Sequence, residues 1–269
     1  MRKLKYSEAM EESFNQILEE DDDVFIIGQG LWSPWYVGAT MRDLEKKFGK
    51  DRVLDSPVSE NATTGIAIGA AMSGKKSIVV HPRMDFMLLA MDPIINQASN
   101  WSYLFNSEVP VPLVIRSIIN RGGEQGAQHS QALHSFFMHV PGIKVVMPAT
   151  ARDAKGLLYS SVLDQNPVLY IDDRWCYDSQ GTVKEELFEI PIGKAEVLKK
   201  GKELTIVAVS YMVHEAIKSA EELSKTGIDV EVINLRTVKP WDYETISKSV
   251  KKTGRLIIAD SGWVEGGIG

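Results

Sequence analysis

The chain has 269 residues, 44% of them hydrophobic, a formal net charge of −6 and a single cysteine, Cys176. That length suits one large or two ordinary domains with a true core, and an acidic balance without basic runs excludes a general nucleic-acid binder. One cysteine excludes an internal disulfide and a Cys-rich metal cluster, and nothing approaches the ~18 unbroken apolar residues of a membrane span or the core of a signal peptide, so a soluble cytoplasmic protein is expected.

Residues 7–20 set Ala9, Met10, Phe14, Ile17 and Leu18 at helical spacing behind Ser7, predicting an amphipathic helix. Val24–Ile27 reads as a buried strand, followed by Gly28-Gln-Gly-Leu-Trp-Ser-Pro-Trp35. Gly28-x-Gly30 opens like a dinucleotide fingerprint, but Ser33 and Pro34 break the pattern and no acidic residue follows at the required distance. Trp32, Trp35 and Tyr36 in this turn-rich loop serve either as a packed plug or as a binding surface. A helix is expected over 39–48. Pro57 then disfavours helix at Ser56, and Ser59 is an N-cap candidate, so a helix should begin near Glu60 and run through the small-residue stretch to Gly74. Glu60 is either a first-turn residue favoured by the helix dipole or a carboxylate placed at a strand-to-helix turn for chemistry. Gly65 and Gly69, one turn apart, would admit a close neighbour.

A strand at Ser77–Val80 ends in His81-Pro-Arg-Met-Asp-Phe86, and one helix is predicted over 86–104. Ligands of doubly wound sheets gather at the carboxyl ends of strands, which makes the 81–86 loop a neighbour for Glu60. Val111–Ile115 reads as a strand and Arg116–Gln131 as a long polar loop, a feature more often functional than not. His129, His134 and His139 recur at five-residue steps, unlike a zinc-ligand pair. A strand at 143–147, a helix at 151–163 and a strand at 167–171 complete an α/β unit whose alternation predicts a mainly parallel, doubly wound sheet. After a linker at 172–191, a second unit follows: strand 204–209, helix 211–224, strand 230–234, helix 242–252 and strand 256–259, with His214 exposed or in a first helical turn. The chain ends at Gly266-Gly-Ile-Gly269, where a covering helix is expected next, so a longer second domain is anticipated.

Ser56-Pro-Val-Ser-Glu60, Gly65-Ile-Ala-Ile-Gly-Ala-Ala-Met-Ser-Gly74, Asp85-Phe86, Asp92-x-Ile-x-Asn-Gln-Ala98, Gly126-Ala-Gln-His-Ser-Gln131, Pro141–Pro148, Asp153-Ala-Lys-Gly156, Pro191–Lys194, Val230–Arg236 and Gly262-Trp263 occur in this order. Together they resemble the beta subunit of the thiamine-diphosphate-dependent 2-oxoacid dehydrogenases over essentially the whole chain. The resemblance implies a pyrimidine-binding domain over 1–175, a linker at 176–192 and a transketolase C-terminal-like domain, incomplete at its end, over 193–269. It implies that Glu60 hydrogen-bonds a ring nitrogen of the cofactor's aminopyrimidine and favours the imino tautomer. It likewise implies that Phe86 packs on the pyrimidine, with Pro82 beside it, and that His129 with Gln128 orients substrate near the reacting carbonyl. Asp164 and Asn166 fall where the family often holds a structural monovalent cation such as K+.

The sequence contains no Gly-Asp-Gly. The resemblance therefore implies that the diphosphate and Mg2+ are held by a partner alpha subunit in an α2β2 assembly, with a lipoyl acyltransferase as a possible further partner. Two departures bear on substrate: the 28–35 loop replaces the family's acidic loop, and Val80-His-Pro-Arg-Met84 replaces its glutamate and apolar residues. They offer His81 and Arg83 as recognition groups for an anionic or sugar-like substrate. A transketolase-like carboligase and a non-catalytic module are the alternatives to a 2-oxoacid dehydrogenase.

Overall fold

Short β-branched runs separated by helical periods fold as strand–helix–strand units, whose strands must run parallel. A computed structural model describes residues 2–37, 39–121 and 125–269. In chain order the first part contains β1 (Arg2–Lys5), α1 (Tyr6–Glu20), β2 (Val24–Gln29), α2 (Leu44–Phe48), β3 (Val53–Ser56), α3 (Glu60–Met72), β4 (Lys76–His81), α4 (Met84–Met87), α5 (Ser99–Leu104), β5 (Leu113–Ile119), α6 (His134–Met138), β6 (Lys144–Val146), α7 (Ala151–Leu163), β7 (Val168–Asp173) and β8 (Gln180–Val183). The second part contains β9 (Glu196–Lys199), β10 (Leu204–Ala208), α8 (Met212–Ser224), β11 (Val230–Asn234), β12 (Thr237–Lys239), α9 (Tyr243–Thr253) and β13 (Leu256–Ala259).

Seven strands form the main sheet in the order β12-β6-β7-β5-β4-β2-β3, all parallel to their neighbours except edge strand β12. Side chains alternate between its faces. Along β4, Val79 enters the core shared with Ala67, Ile68 and Ala71 of α3, while Ile78 and Val80 enter the core shared with Phe14 of α1 and Leu157 of α7. A doubly wound architecture results. The second sheet runs β13-β10-β11-β9, with β9 alone antiparallel.

Four predicted elements differ, each for a physical reason. The helix expected over 39–48 shrinks to α2, because Ala39 and Asp43 take left-handed backbone angles of φ 55° and 57°. The helix expected over 86–104 is broken into α4, a 3-10 turn at Leu88–Ala90, a wide π turn at Pro93–Ala98 and α5; Pro93 has no N–H to continue the regular ladder. Arg116, read as the start of a polar loop, lies inside β5 and is fully buried. Its Nε and Nη2 donate to Asp172 on β7 at 3.0 and 2.9 Å, and Tyr177 donates to the same carboxylate. A charged residue that looks like a strand end is thus neutralised by an adjacent strand. Finally, the stretch read as a linker over 172–191 contains the end of β7 and all of β8, which pairs antiparallel with β1. Residues 122–124 of the expected 116–131 loop lie outside the described residues.

The two parts are joined by polar contacts. β12 extends the first sheet from the second part, Asn234 donates to Asp153 at 2.8 Å, Arg236 Nε lies 2.7 Å from the same aspartate, and His134 bonds Asp260 at 3.0 Å. His214, in the first turn of α8, reaches the carbonyl of Ala149 at 2.9 Å.

Candidate functional site

Parallel pairing brings the carboxyl ends of β2, β3, β4, β5 and β7 to one edge of the sheet. Gln29, Ser56, His81, Ile119 and Asp173 therefore mark a common rim, and the segments that leave these strands build the site. Glu60 opens α3 just beyond β3 and is 8% exposed. Ser59 occupies the N-cap position as expected, but its hydroxyl donates to Val58 and not to the helix. Among the described residues no donor is bonded to the Glu60 carboxylate, which leaves its oxygens open to a ligand. One turn along the same helix, Thr64 bonds His81 Nε2 at 3.1 Å. This contact ties α3 to the end of β4.

His81 was expected to face substrate. It is 2% exposed and turned toward α3, and burial pushes its pKa down to about 4, so the imidazole is neutral at physiological pH. Pro82 and Arg83 follow, both buried. Three contacts then align the 84–86 turn antiparallel to 129–133. The Phe86 and His129 rings meet edge to face with centroids 5.0 Å apart, Gln131 donates to Asp85 through Nε2 at 2.8 Å and through its backbone N–H at 3.3 Å, and the Leu133 N–H points at Met84 Sδ at 3.4 Å. Phe86 and His129 are half-buried, whereas Gln128 is exposed. Two polar atoms on this zipper, Asp85 Oδ2 and His129 Nδ1, are buried without a partner among the described residues.

Not every expected residue joins the rim. Asp164 accepts from the Lys144 ammonium and from the Asn166 backbone N–H at 3.0 Å, and Asn166 Oδ1 accepts from Ser102 at 3.0 Å. Where the resemblance implied a monovalent cation, the protein's own ammonium meets the carboxylate. His129, His134 and His139 occupy three separate settings: against Phe86, buried on Asp260, and exposed. The tryptophan loop divides. Trp32 donates to the Val53 carbonyl at 2.9 Å and Tyr36 OH accepts from Gln29 at 3.0 Å, so both plug the loop, while Trp35 is 74% exposed.

Asp85 and Gln131 lie within motifs of the sequence that assign them no role. Their pairing spans 46 positions, and neither spacing nor composition signals it. The same holds for Arg174, whose guanidinium donates to the Tyr36 carbonyl. A cavity of about 250 Å³ lies elsewhere, lined by Met138, Leu235, Trp241, Ile258 and Ile268, and includes none of the rim residues.

Residues 2–175 match the family described as the transketolase pyrimidine-binding domain, and residues 193–269 match the transketolase C-terminal domain. The chain is 39% identical over 270 residues to the beta subunit of acetoin:2,6-dichlorophenolindophenol oxidoreductase of Cupriavidus necator, a match covering 96% of this chain and 79% of that one. It is 38% identical over 272 residues to the pyruvate dehydrogenase E1 beta subunit of Rhizobium meliloti, covering all of this chain and 59% of the longer protein. The mitochondrial pyruvate dehydrogenase E1 beta subunit of Drosophila melanogaster is 38% identical over 274 residues, with 100% and 74% coverage. Among solved structures, a chain described as a split gene transketolase, inactive beta4 tetramer, superimposes with a TM-score of 0.81 over 98% of this chain and 82% of its own at 21% identity, a likeness of fold.

Proposed function

Because this chain belongs to the beta-subunit family of the thiamine-diphosphate-dependent 2-oxoacid dehydrogenases, we propose that it forms the pyrimidine side of an enzyme that decarboxylates a 2-oxoacid and passes the acyl fragment to a lipoyl acceptor. The observation that carries this reading is Glu60, a carboxylate at 8% exposure with no bonded donor among the described residues, fixed one turn before the Thr64–His81 contact. The buried, unpartnered Asp85 Oδ2 and His129 Nδ1 and the Phe86 ring beside them fit a polar, planar ligand.

Thiamine diphosphate, when bound, would supply a carbon nucleophile and an electron sink for the decarboxylation. Glu60 would hydrogen-bond a ring nitrogen of the aminopyrimidine, a task suited to a carboxyl group. Phe86 would offer an aromatic face to that ring, with Pro82 assigned to the same side. His129, braced by Phe86, orients the substrate carbonyl, and Gln128, exposed beside it, contacts substrate from the open side.

The diphosphate and Mg2+ are assigned to an alpha subunit in an α2β2 assembly, since the chain lacks Gly-Asp-Gly. The outer face of α3 suits such a neighbour: Ile66 is 57% exposed, and a Cβ added at Gly65 or Gly69 would meet nothing within 4 Å. A cytoplasmic setting is proposed with it, in keeping with the lone buried thiol of Cys176.

The test is reconstitution with the alpha subunit and measurement of CO2 release with a lipoyl domain or an aldehyde as acceptor. Turnover should require thiamine diphosphate and Mg2+ and should favour the lipoyl domain; preference for the aldehyde would make the enzyme a carboligase. Glu60→Gln should lower turnover by about 100-fold or more. Unchanged turnover in that variant would remove Glu60 from the chemistry.

A further inference from the structure

Arg83 leaves β4 two residues after His81 and is 8% exposed, yet its guanidinium meets only neutral acceptors. Nε and Nη2 donate to Gln125 Oε1 at 3.2 and 3.1 Å, and Nη1 donates to the Pro82 carbonyl at 2.8 Å. Arg174, immediately after β7, reaches across the rim to the Tyr36 carbonyl, and its Nε is buried with no partner among the described residues. Neither guanidinium forms an ion pair with a carboxylate among the described residues. Arg116, on the strand between them, and Arg121, just beyond its end, each have one, in Asp172 and Asp173. The contrast is local and specific.

Tyr36 contacts both guanidiniums, neither of which is ion-paired among the described residues. Arg83 Cζ stands 5.5 Å from its ring centroid while Arg174 holds its carbonyl. Burial, and then the charge of Arg174, lower the pKa of Arg83 from its ordinary value, against smaller opposing effects of Tyr36 and the Asp85 carboxylate, so the two guanidiniums sense each other. Neighbouring like charges withdrawn from water are costly without a counter-ion, and guanidinium N–H groups match carboxylate and phosphate oxygens. The position is informative as well. Arg83 lies three residues before Phe86, and Gln125, which holds it, belongs to the segment that carries His129. Arg83 is thus carried by the same two segments that bring Phe86 and His129 together.

We propose that Arg83 and Arg174, on either side of Tyr36, form a subsite for a second acidic group of the substrate, a carboxylate or phosphate at the end remote from the 2-oxo carbon. This rests on the function proposed above and narrows its substrate to a 2-oxoacid with two anionic ends.

Two measurements on the reconstituted complex test it. Inorganic phosphate, compared with chloride at equal ionic strength, should raise the melting temperature of the wild type and not that of Arg174→Met. The ratio of kcat/KM for 2-oxoglutarate to that for pyruvate should exceed one and fall by about tenfold in Arg174→Met, the scale of one lost hydrogen bond to a charged group, with partial return in Arg174→Lys. A ratio unmoved by Arg174→Met, or no phosphate shift in the wild type, overturns the subsite. A shift seen in this chain alone but lost in the complex also overturns it, because a partner carboxylate then fills the place. If the complex decarboxylates neither acid, the functional reading fails, and the melting comparison alone decides the subsite.

Discussion

Gln131 donates to one oxygen of Asp85 through both its side chain, at 2.8 Å, and its backbone, at 3.3 Å. Asp85 adjoins Phe86 and Gln131 lies two residues after His129, so this one carboxylate sets how the two rings meet. Hydrogen bonds to a charged group contribute roughly 1.5–3 kcal/mol. Asp85→Ala is expected to lower kcat/KM by about ten- to hundredfold and to raise amide hydrogen exchange over residues 129–133, while Asp85→Asn, which keeps an acceptor oxygen, loses less. Unaltered exchange over that segment would show that the loop is held by other contacts.

Stability should fall as pH drops from about 6.5 to about 4, because of His81. Its folded pKa of about 4 lies below the ordinary value of 6.5, burial being the cause. Between those values the unfolded chain takes up a proton that the folded chain refuses, so acid favours unfolding; above pH ~6.5 both states are neutral and the effect vanishes. The full span corresponds to roughly 3 kcal/mol. Urea melts of the wild type and of His81→Asn at several pH values check this: the variant should lose that part of the slope, whatever its stability at neutral pH.

Arg116→Met should cost about 3–5 kcal/mol, because it leaves Asp172 buried and charged with Tyr177 as its remaining donor. Replacing both partners, as Arg116→Met with Asp172→Leu, should recover a large part of the loss. Denaturant midpoints for the two single variants and the pair give the coupling directly.

Gly30 takes φ +69°, and a Cβ there would overlap the ring of Tyr36. Gly30→Ala should therefore destabilise the chain by roughly 1–3 kcal/mol and displace Tyr36 from between Arg83 and Arg174. Loss of the phosphate-dependent melting shift in this variant, with residual stability read from a urea melt, is the expected result.

Period and order in the amino-acid sequence determined much of this protein by themselves. The 3.6-residue spacing of Met10, Phe14 and Ile17, and short apolar strands such as Val230–Asn234, are local signals, and they pointed to the parallel sheets, the two-part layout and the helices other than those expected over 39–48 and 86–104. The turn before Glu60 was legible in the same way, since Pro57 restricts its own neighbour and Ser59 falls at the N-cap position, although its hydroxyl turns to Val58. What the tertiary structure alone decided rests on partners remote in sequence. Arg116 belongs inside a strand only because Asp172 stands on the next one, His81 faces α3 because Thr64 is there, and the ammonium of Lys144 meets Asp164 where a bound cation was expected. Charge and polarity suggest loop or site until a counter-charge or donor is brought near, and that neighbour is chosen by strand order. For the same reason Arg83 and Arg174, 91 positions apart in sequence, became a pair only when the loop carrying Tyr36 closed over the rim.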